Sequence, residues 1–191
     1  MTERGDGVDS RRTDTRERAL SVALQLFARQ GYNVTSLREI AEQLGVTKAA
    51  LYFHFRTKDE ILTAILRGYL DGIAELVEDA TDRRPLSPED QEQLVRRFAA
   101  HQARWGMDLI LLVRHNLTEI QGLPIGAEIK NSTQSLMEAL APEGARPDER
   151  LRVRMALSTF QVAALDRESD EKAMREAALA LSLEILRGGR K

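Results

Sequence analysis

The sequence predicts an all-α protein with nine helices. Apolar residues recur at helical spacing in almost every segment, and no strand-like alternation of β-branched residues persists. Capping residues, glycines and prolines mark where one helical segment ends and the next begins. The 42% hydrophobic content is sufficient for a packed core.

The chain is expected to begin with an arm followed by a helix. Residues 1–14 are rich in Gly, Asp and Arg, which predicts a disordered segment. The first helix is expected from about Thr15 to Gln30, with Phe27 on its apolar face. Gly31 stands where a left-handed C-cap belongs, so the helix should end there.

Two short helices follow. The stretch SLRE predicts a capping box, in which Ser36 caps the second helix and Glu39 bonds back to the cap. Gly45 should end this helix, and Thr47 is a favourable N-cap for a third helix that runs to about Phe53.

Six further helices are predicted from the same signals, of which SPED at residues 87–90 is the clearest start. Their expected ranges are about 58–80, 88–105, 108–120, 124–140, 148–165 and 170–186. The change from short to long helices predicts two domains. Residues 15–57 would form the first, and residues 58–191 a larger helical body.

The composition excludes several classes of protein and site. With no cysteine, the chain has no disulfide, no cysteine-ligated zinc and no thiol nucleophile. No run of about 18 apolar residues and no signal peptide is present, so we expect a cytoplasmic protein without a membrane span. No nucleophile–base pair, metal motif or phosphate-binding glycine loop indicates an enzyme or a cofactor.

The net charge of −2 is unevenly distributed. Residues 1–58 hold ten Lys/Arg and seven Asp/Glu, a balance of +3, and residues 59–191 hold eighteen and twenty-three, a balance of −5. The sign of this asymmetry fits a nucleic-acid-binding N-terminal part on an acidic body, although it is too small to establish function alone.

The second and third helices have the spacing of a helix-turn-helix, whose second helix enters the major groove of DNA. On the third helix, Leu51 would pack inward. Thr47, Lys48, Ala49 and Ala50 lie at the N-terminal end of its other side, where small and basic side chains suit base edges.

A second set of polar groups near this helix suits phosphate oxygens. It comprises Thr35, Tyr52, His54 and Lys58, with Ser36 and the free amides at the start of the second helix. Alternatively, Tyr52 is a core residue with a solvated hydroxyl, and His54 is an ordinary surface histidine. Phe53 and Phe55 are expected in the core.

Residues 31–62, GYNVTSLREIAEQLGVTKAALYFHFRTKDEIL, resemble the DNA-binding domain of the TetR family of bacterial repressors. The matching residues are Phe27, Gly31-Tyr32, Thr35-Ser36, Ile40-Ala41, Gly45-Val46-Thr47-Lys48, Leu51-Tyr52, His54-Phe55, Lys58 and Leu62. Their joint order and spacing is highly specific, and the resemblance covers about the first third of the chain.

The resemblance implies a nine-helix TetR-like architecture and a homodimer on a near-palindromic operator in double-stranded DNA. Thr47, Lys48, Ala49 and Ala50 would face bases, and the phosphate-binding set would hold the backbone. This chain departs from the family at Ala50, where a Thr or Ser hydroxyl is common. An apolar contact is therefore implied at this position.

The resemblance also implies a ligand pocket among the fourth to eighth helices. Trp105, Met107, Leu111 and Phe160 are the candidate walls, with His115 and Gln161 as polar anchors for a small apolar or amphipathic ligand. Alternatively, these apolar residues are ordinary core. His101 and His115 have no partner motif that would predict a metal site.

The last two helices are rich in Ala, Ser and Leu, which predicts close helix packing across a dimer interface. The candidate interface residues are Met155, Ser158, Thr159, Val162, Ala177, Leu181 and Ile185. Burial within one chain is the alternative. A dimer is also favoured because one short recognition helix reads few base pairs, whereas two address half-sites about 34–36 Å apart.

Together these features predict a DNA-binding transcriptional regulator, with a homodimeric repressor released from its operator by a small molecule as the leading hypothesis. Release would be a population shift toward a conformer with wrongly spaced DNA-binding domains. The alternative is an architectural or partner-recruiting DNA-binding protein whose body dimerises without a ligand.

Overall fold

The fold is all-α, as predicted. The computed structural model describes residues 6–166 and 168–188, except the side chains of residues 6–13 and Met107. This part of the chain contains nine helices and no strand. They are α1 Asp6–Gln30, α2 Leu37–Leu44, α3 Lys48–His54, α4 Lys58–Asp82, α5 Pro88–His115, α6 Leu117–Gln121, α7 Pro124–Leu140, α8 Pro147–Ala163 and α9 Glu171–Arg187. Within these residues, no helix combines the length and the apolar character needed to cross a membrane.

The α1 helix is longer than predicted. It begins at Asp6 rather than Thr15, so residues 6–14 of the predicted arm are helical, and residues 1–5 lie outside the described residues. From residue 8 to its end the helix contains neither Gly nor Pro, and Asp14 pairs with Arg18 one turn later at 3.8 Å. The prediction of disorder relied on the polar composition of this segment. Polar residues are nevertheless compatible with a helix, and no Gly or Pro interrupts this one after residue 7.

The capping signals of α2 and α3 are confirmed. The Ser36 hydroxyl accepts from the Glu39 amide at 3.1 Å, and the Glu39 carboxylate accepts from the Ser36 amide at 2.7 Å. Gly45 ends α2 in the left-handed region with φ 74°, and the Thr47 hydroxyl accepts from the Ala50 amide at 3.2 Å. Local sequence is therefore sufficient to place both helices.

Gly106 interrupts α5, as the sequence predicts. Its φ of 66° and ψ of −171° are non-helical, so two helical segments meet at a kink within Pro88–His115. The predicted helix over 108–120 is interrupted at one residue, because Asn116 leaves helical geometry with ψ 33° before α6 begins. The reason is tertiary: the Asn116 side chain is buried and hydrogen-bonded elsewhere.

The chain divides into two compact units, and their boundary differs from the predicted one after Thr57. The first unit extends to Gly68 and also includes Leu111–Ile125, whereas the second comprises Tyr69–Ile110 and resumes at Gly126. The start of α4 belongs to the first unit because it is apolar: Ile61, Leu62 and Ile65 are at most 1% exposed. In the second unit, α8 packs on α9, and both helices share a core with α4, α5 and α7.

Candidate nucleic-acid interface

The α3 helix has a buried side and an exposed side. Leu51 is fully buried and fixes the helix against the first unit's core, as predicted. Thr47, Lys48 and Ala49 are exposed, and Ala50 is half-buried. The four residues predicted to face bases thus occupy the N-terminal turn of the helix with little burial, which is the part that a recognition helix presents to base edges.

Tyr52 extends this surface toward the C-terminal end of α3. Its side chain is 40% exposed, and the Lys48 amine lies 5.3 Å from its ring centroid. Such a cation–π contact holds the lysine chain along the helix while its amine remains exposed. Tyr52 is therefore not the core residue of the alternative reading.

Phe53 lies on the surface, and its expected place in the core is wrong. It is 68% exposed, one turn after the exposed Ala49, whereas Phe55 is 3% exposed and lies under the guanidinium of Arg16 at 5.2 Å. The half-buried His54 ring contacts Phe53 edge-on at 5.3 Å between centroids. The four-residue spacing from Ala49 to Phe53 was the signal that could have identified this residue.

Thr35 does not present its hydroxyl to solvent, contrary to the prediction of a phosphate contact. The residue is 1% exposed, and its hydroxyl donates to the Gly31 carbonyl at 2.8 Å while accepting from the Gln30 amide at 3.1 Å. It closes the α1–α2 turn instead. Ser36 next to it is exposed, and its hydroxyl oxygen accepts from the Glu39 amide.

Lys58 contributes to the structure of the α1–α2 turn. Its amine donates to the Tyr32 carbonyl at 2.7 Å and to the Asn33 carbonyl at 3.3 Å, and lies 4.4 Å from the Tyr32 ring centroid. The Tyr32 hydroxyl donates to Asp59, and its pKa is raised by burial and by this carboxylate. Replacing Lys58 would therefore perturb the fold as well as any phosphate contact.

Asn116 is a residue of this unit that sequence reasoning missed. It is 3% exposed, its carbonyl oxygen accepts from the Tyr32 amide at 2.8 Å, and its amide donates to the Leu112 carbonyl at 2.8 Å. Asn33 in the same turn donates to Glu119 at 2.6 Å. The end of α5 and the start of α6 therefore hold the turn that leads into the helix-turn-helix.

The second unit contains a cavity of about 330 Å³ between α5, α8 and α9. Among the predicted ligand residues with described side chains, Phe160 lines it and the other four do not. His115 and Gln161 are exposed, and Trp105 instead packs edge-on against Tyr69 at 6.2 Å between centroids. The side chain of Met107 lies outside the described residues.

An exposed apolar groove runs along α8 and α9. Val162, Met155 and Leu181 are 66%, 53% and 50% exposed, although they belong to helices that pack closely on each other. All seven residues predicted for a dimer interface line this groove: Met155, Ser158, Thr159, Val162, Ala177, Leu181 and Ile185. Thr159 is buried and donates within the helix pair, so it forms the floor.

The N-terminal unit matches a known family. Residues 19–65 match the model of bacterial regulatory proteins of the tetR family, a range that includes α2 and α3. The chain is 44% identical over 63 residues to the HTH-type transcriptional regulator AcrR of Shigella flexneri, which is 33% of this chain and 29% of that protein. Over 82 residues it is 37% identical to the HTH-type transcriptional repressor KstR2 of Rhodococcus jostii, which is 41% of this chain and 38% of that protein.

The chain thus spans less than half the length of each of these two relatives. The structural comparison extends further. The TetR family transcriptional regulator PfmR of Thermus thermophilus superposes with a TM-score of 0.64 at 28% identity, covering 91% of this chain and 100% of that one. The likeness in architecture therefore includes the helical body.

Proposed function

We propose that this chain, whose residues 19–65 match the tetR family of bacterial regulatory proteins, is a sequence-specific DNA-binding transcriptional repressor. The observation that carries the proposal is the exposed face of α3 within the matched segment. Thr47, Lys48 and Ala49 make no part of the core, although they lie in a helix that Leu51 anchors firmly. That arrangement suits a helix seated in the major groove.

The side chains on this face suggest their partners on DNA. Thr47, Lys48, Ala49 and Ala50 would face base edges, where Lys48 suits guanine acceptors and the alanine methyl groups suit thymine methyls. Phe53, one turn further along, would add an apolar contact to the same groove.

The backbone contacts would come from groups around this helix. Ser36, Tyr52 and His54 would contact phosphates, as would the α2 amides that the capping box leaves free. Lys58 retains one N–H after its two carbonyl bonds and could direct it to a phosphate.

A homodimer would place two recognition helices on a near-palindromic operator. The exposed groove of α8 and α9 supports this, because large apolar side chains such as Val162 and Leu181 are rarely left together on a monomer's surface. A second copy of the same helix pair would cover them and complete a four-helix bundle.

Release by a small molecule would act through α5. Gly106 and Ile110 of this helix line the 330 Å³ cavity of the body. Five residues after Ile110 the same helix ends, and Asn116 then holds the Tyr32 amide at 2.8 Å. An occupant that binds one geometry of α5 more tightly than another would supply the differential binding that a population shift requires.

The DNA-binding role is tested by selecting an operator from random duplexes and measuring Lys48→Ala by fluorescence anisotropy. Loss of this base contact should weaken operator binding by about 1–3 kcal/mol. Lys130→Ala is the matched control, because Lys130 is an exposed lysine on α7 and its loss changes the charge equally. Equal affinity of the two variants would contradict the proposed role of α3.

The dimer is tested with Val162→Arg, measured by analytical ultracentrifugation. Val162 is 66% exposed, so the chain should still fold, whereas a dimer would bury an unpaired charge and dissociate. Leu117→Arg is the control, since Leu117 is 50% exposed on α6. If Val162→Arg leaves both the mass and the operator affinity unchanged, the dimer uses another surface.

A further inference from the structure

The cavity in the second unit has the size and lining of a small-molecule site. Its volume of about 330 Å³ is roughly twice the 150 Å³ of an apolar cavity known to bind benzene. Phe160, Leu179 and Ile110 contribute apolar walls together with a series of alanines. Phe160 is held in place by an edge-on contact with Phe98 at 5.4 Å between centroids. The apolar wall formed by Phe160 is therefore already in place without a ligand.

The charged groups at the rim are mostly neutralised by one another. Arg175 is bonded to Glu171, and Lys172 lies 4.0 Å from Glu176. Asp166 accepts from the Ser169 amide at 3.0 Å and the Glu168 amide at 2.9 Å, and these bonds lower the pKa of its carboxyl. Each of these charges is thus satisfied without a ligand.

Arg96 is the exception at this rim. It lines the cavity and makes no hydrogen bond or ion pair with the residues that the structure describes. A guanidinium presents several donors in a planar fork that matches a carboxylate or sulfonate. An apolar cavity with one uncommitted guanidinium at its edge is complementary to an organic anion.

We propose that this cavity is the effector site and that it takes an apolar organic anion, with its hydrocarbon or ring system against Phe160 and its acidic group at Arg96. This inference rests on the proposed function, in which a small molecule releases the protein from DNA. The site differs from the predicted pocket, with which it shares only Phe160 among the described side chains.

The cavity also shares a wall with the proposed dimer groove. Ala163, Asp166, Met174 and Ala178 line both. An occupant that contacts these residues sets the spacing of α8 and α9, the two helices that would face the second copy. Binding at this site would therefore alter the dimer's geometry through α8 and α9 as well as the bend of α5.

The anion is tested by fluorescence titration of the full chain without DNA, using a matched pair of probes. One is 1-anilinonaphthalene-8-sulfonate, and the other is N-phenyl-1-naphthylamine, which has the same rings and no sulfonate. Arg96→Gln should weaken binding of the sulfonate about fivefold, the size of one ionic contact at an exposed rim, and change the neutral probe less than about twofold. Arg104→Gln on the same helix is the control, because Arg104 is exposed and does not line the cavity.

The location is tested by filling the cavity from its exposed edge. Ala103→Trp and Ala100→Trp place an indole at the rim, and both alanines are exposed, so folding should persist and is checked by circular dichroism. Both variants should weaken both probes by at least about tenfold, whereas Ala127→Trp on α7 should not.

Each outcome is decisive and separate from the DNA-binding result. If Arg96→Gln binds the sulfonate probe as tightly as the wild type does, the proposal that the ligand is an anion held by Arg96 is wrong. If the two tryptophan variants bind both probes unchanged, the ligand does not bind in this cavity. Arg96→Gln leaves α3 and the apolar walls of the cavity intact, so it should bind the selected operator like the wild type. Failure of the wild type to select any operator overturns the proposed function instead, whatever the probes do.

Discussion

Replacing Asn116 with alanine should loosen the turn between α1 and α2. The Tyr32 amide is buried with its residue, at 9% exposure, and its acceptor is the Asn116 side chain at 2.8 Å. Alanine removes this acceptor and leaves the amide unsatisfied, which costs about 1–3 kcal/mol. Alanine also removes the hydrogen bond from the Asn116 side chain to the Leu112 carbonyl. This loss adds little, because the backbone N–H of residue 116 still donates to the same carbonyl at 3.1 Å.

A loss of about 2 kcal/mol should lower the midpoint of thermal unfolding by about 4–8 °C for a chain of this size. The more direct assay is hydrogen exchange of the peptide containing Tyr32. If this amide exchanges by opening of the turn, its rate should rise about 30-fold. Operator affinity should fall too, although Asn116 belongs to neither the base-facing nor the phosphate-contacting set.

Asn131→Ala is the control for this experiment, because Asn131 is exposed on α7. Its effect should stay within about 0.5 kcal/mol. The reasoning is refuted if Asn116→Ala protects the Tyr32 amide as well as the wild type does and unfolds at the same temperature.

Two further predictions concern pH. Hydrogen bonds from the Ser36 amide and hydroxyl lower the pKa of Glu39 in the folded protein. The stabilisation of the fold by the ionised Glu39 is therefore complete above the unfolded pKa, and it is lost as pH falls through the lower folded pKa. Glu39→Gln should therefore flatten the fall in urea stability between about pH 5 and pH 2; an unchanged profile would argue against the capping box as its source. Burial lowers the pKa of His101, whose ring also bonds the Tyr69 carbonyl at 3.0 Å, so stability should decline as pH falls below about 6.5. His101→Gln should remove this part of the decline, and a slope that persists unchanged would assign it to other groups.

The helix-turn-helix could be read from sequence because its determinants are local. The Ser36 capping box, the left-handed Gly45 and the Thr47 cap each act within a few residues of the chain. The exposure of individual side chains was harder to predict from the sequence. Thr35 and Phe53 were both misplaced, because burial depends on which side of a short helix or turn meets the core, and that core comes from distant segments.

Local sequence patterns were enough to predict that this chain is helical, where most of its helices begin, and which family its first third resembles. Helical periodicity and helix capping depend on residues that are close in the chain, so both can be predicted from the sequence. Tertiary contacts were needed to see that Asn116 holds the turn before α2, and that Arg96 lies beside an apolar cavity without a partner among the described residues. Those features depend on contacts between residues as far apart as 84 positions, which no local pattern specifies.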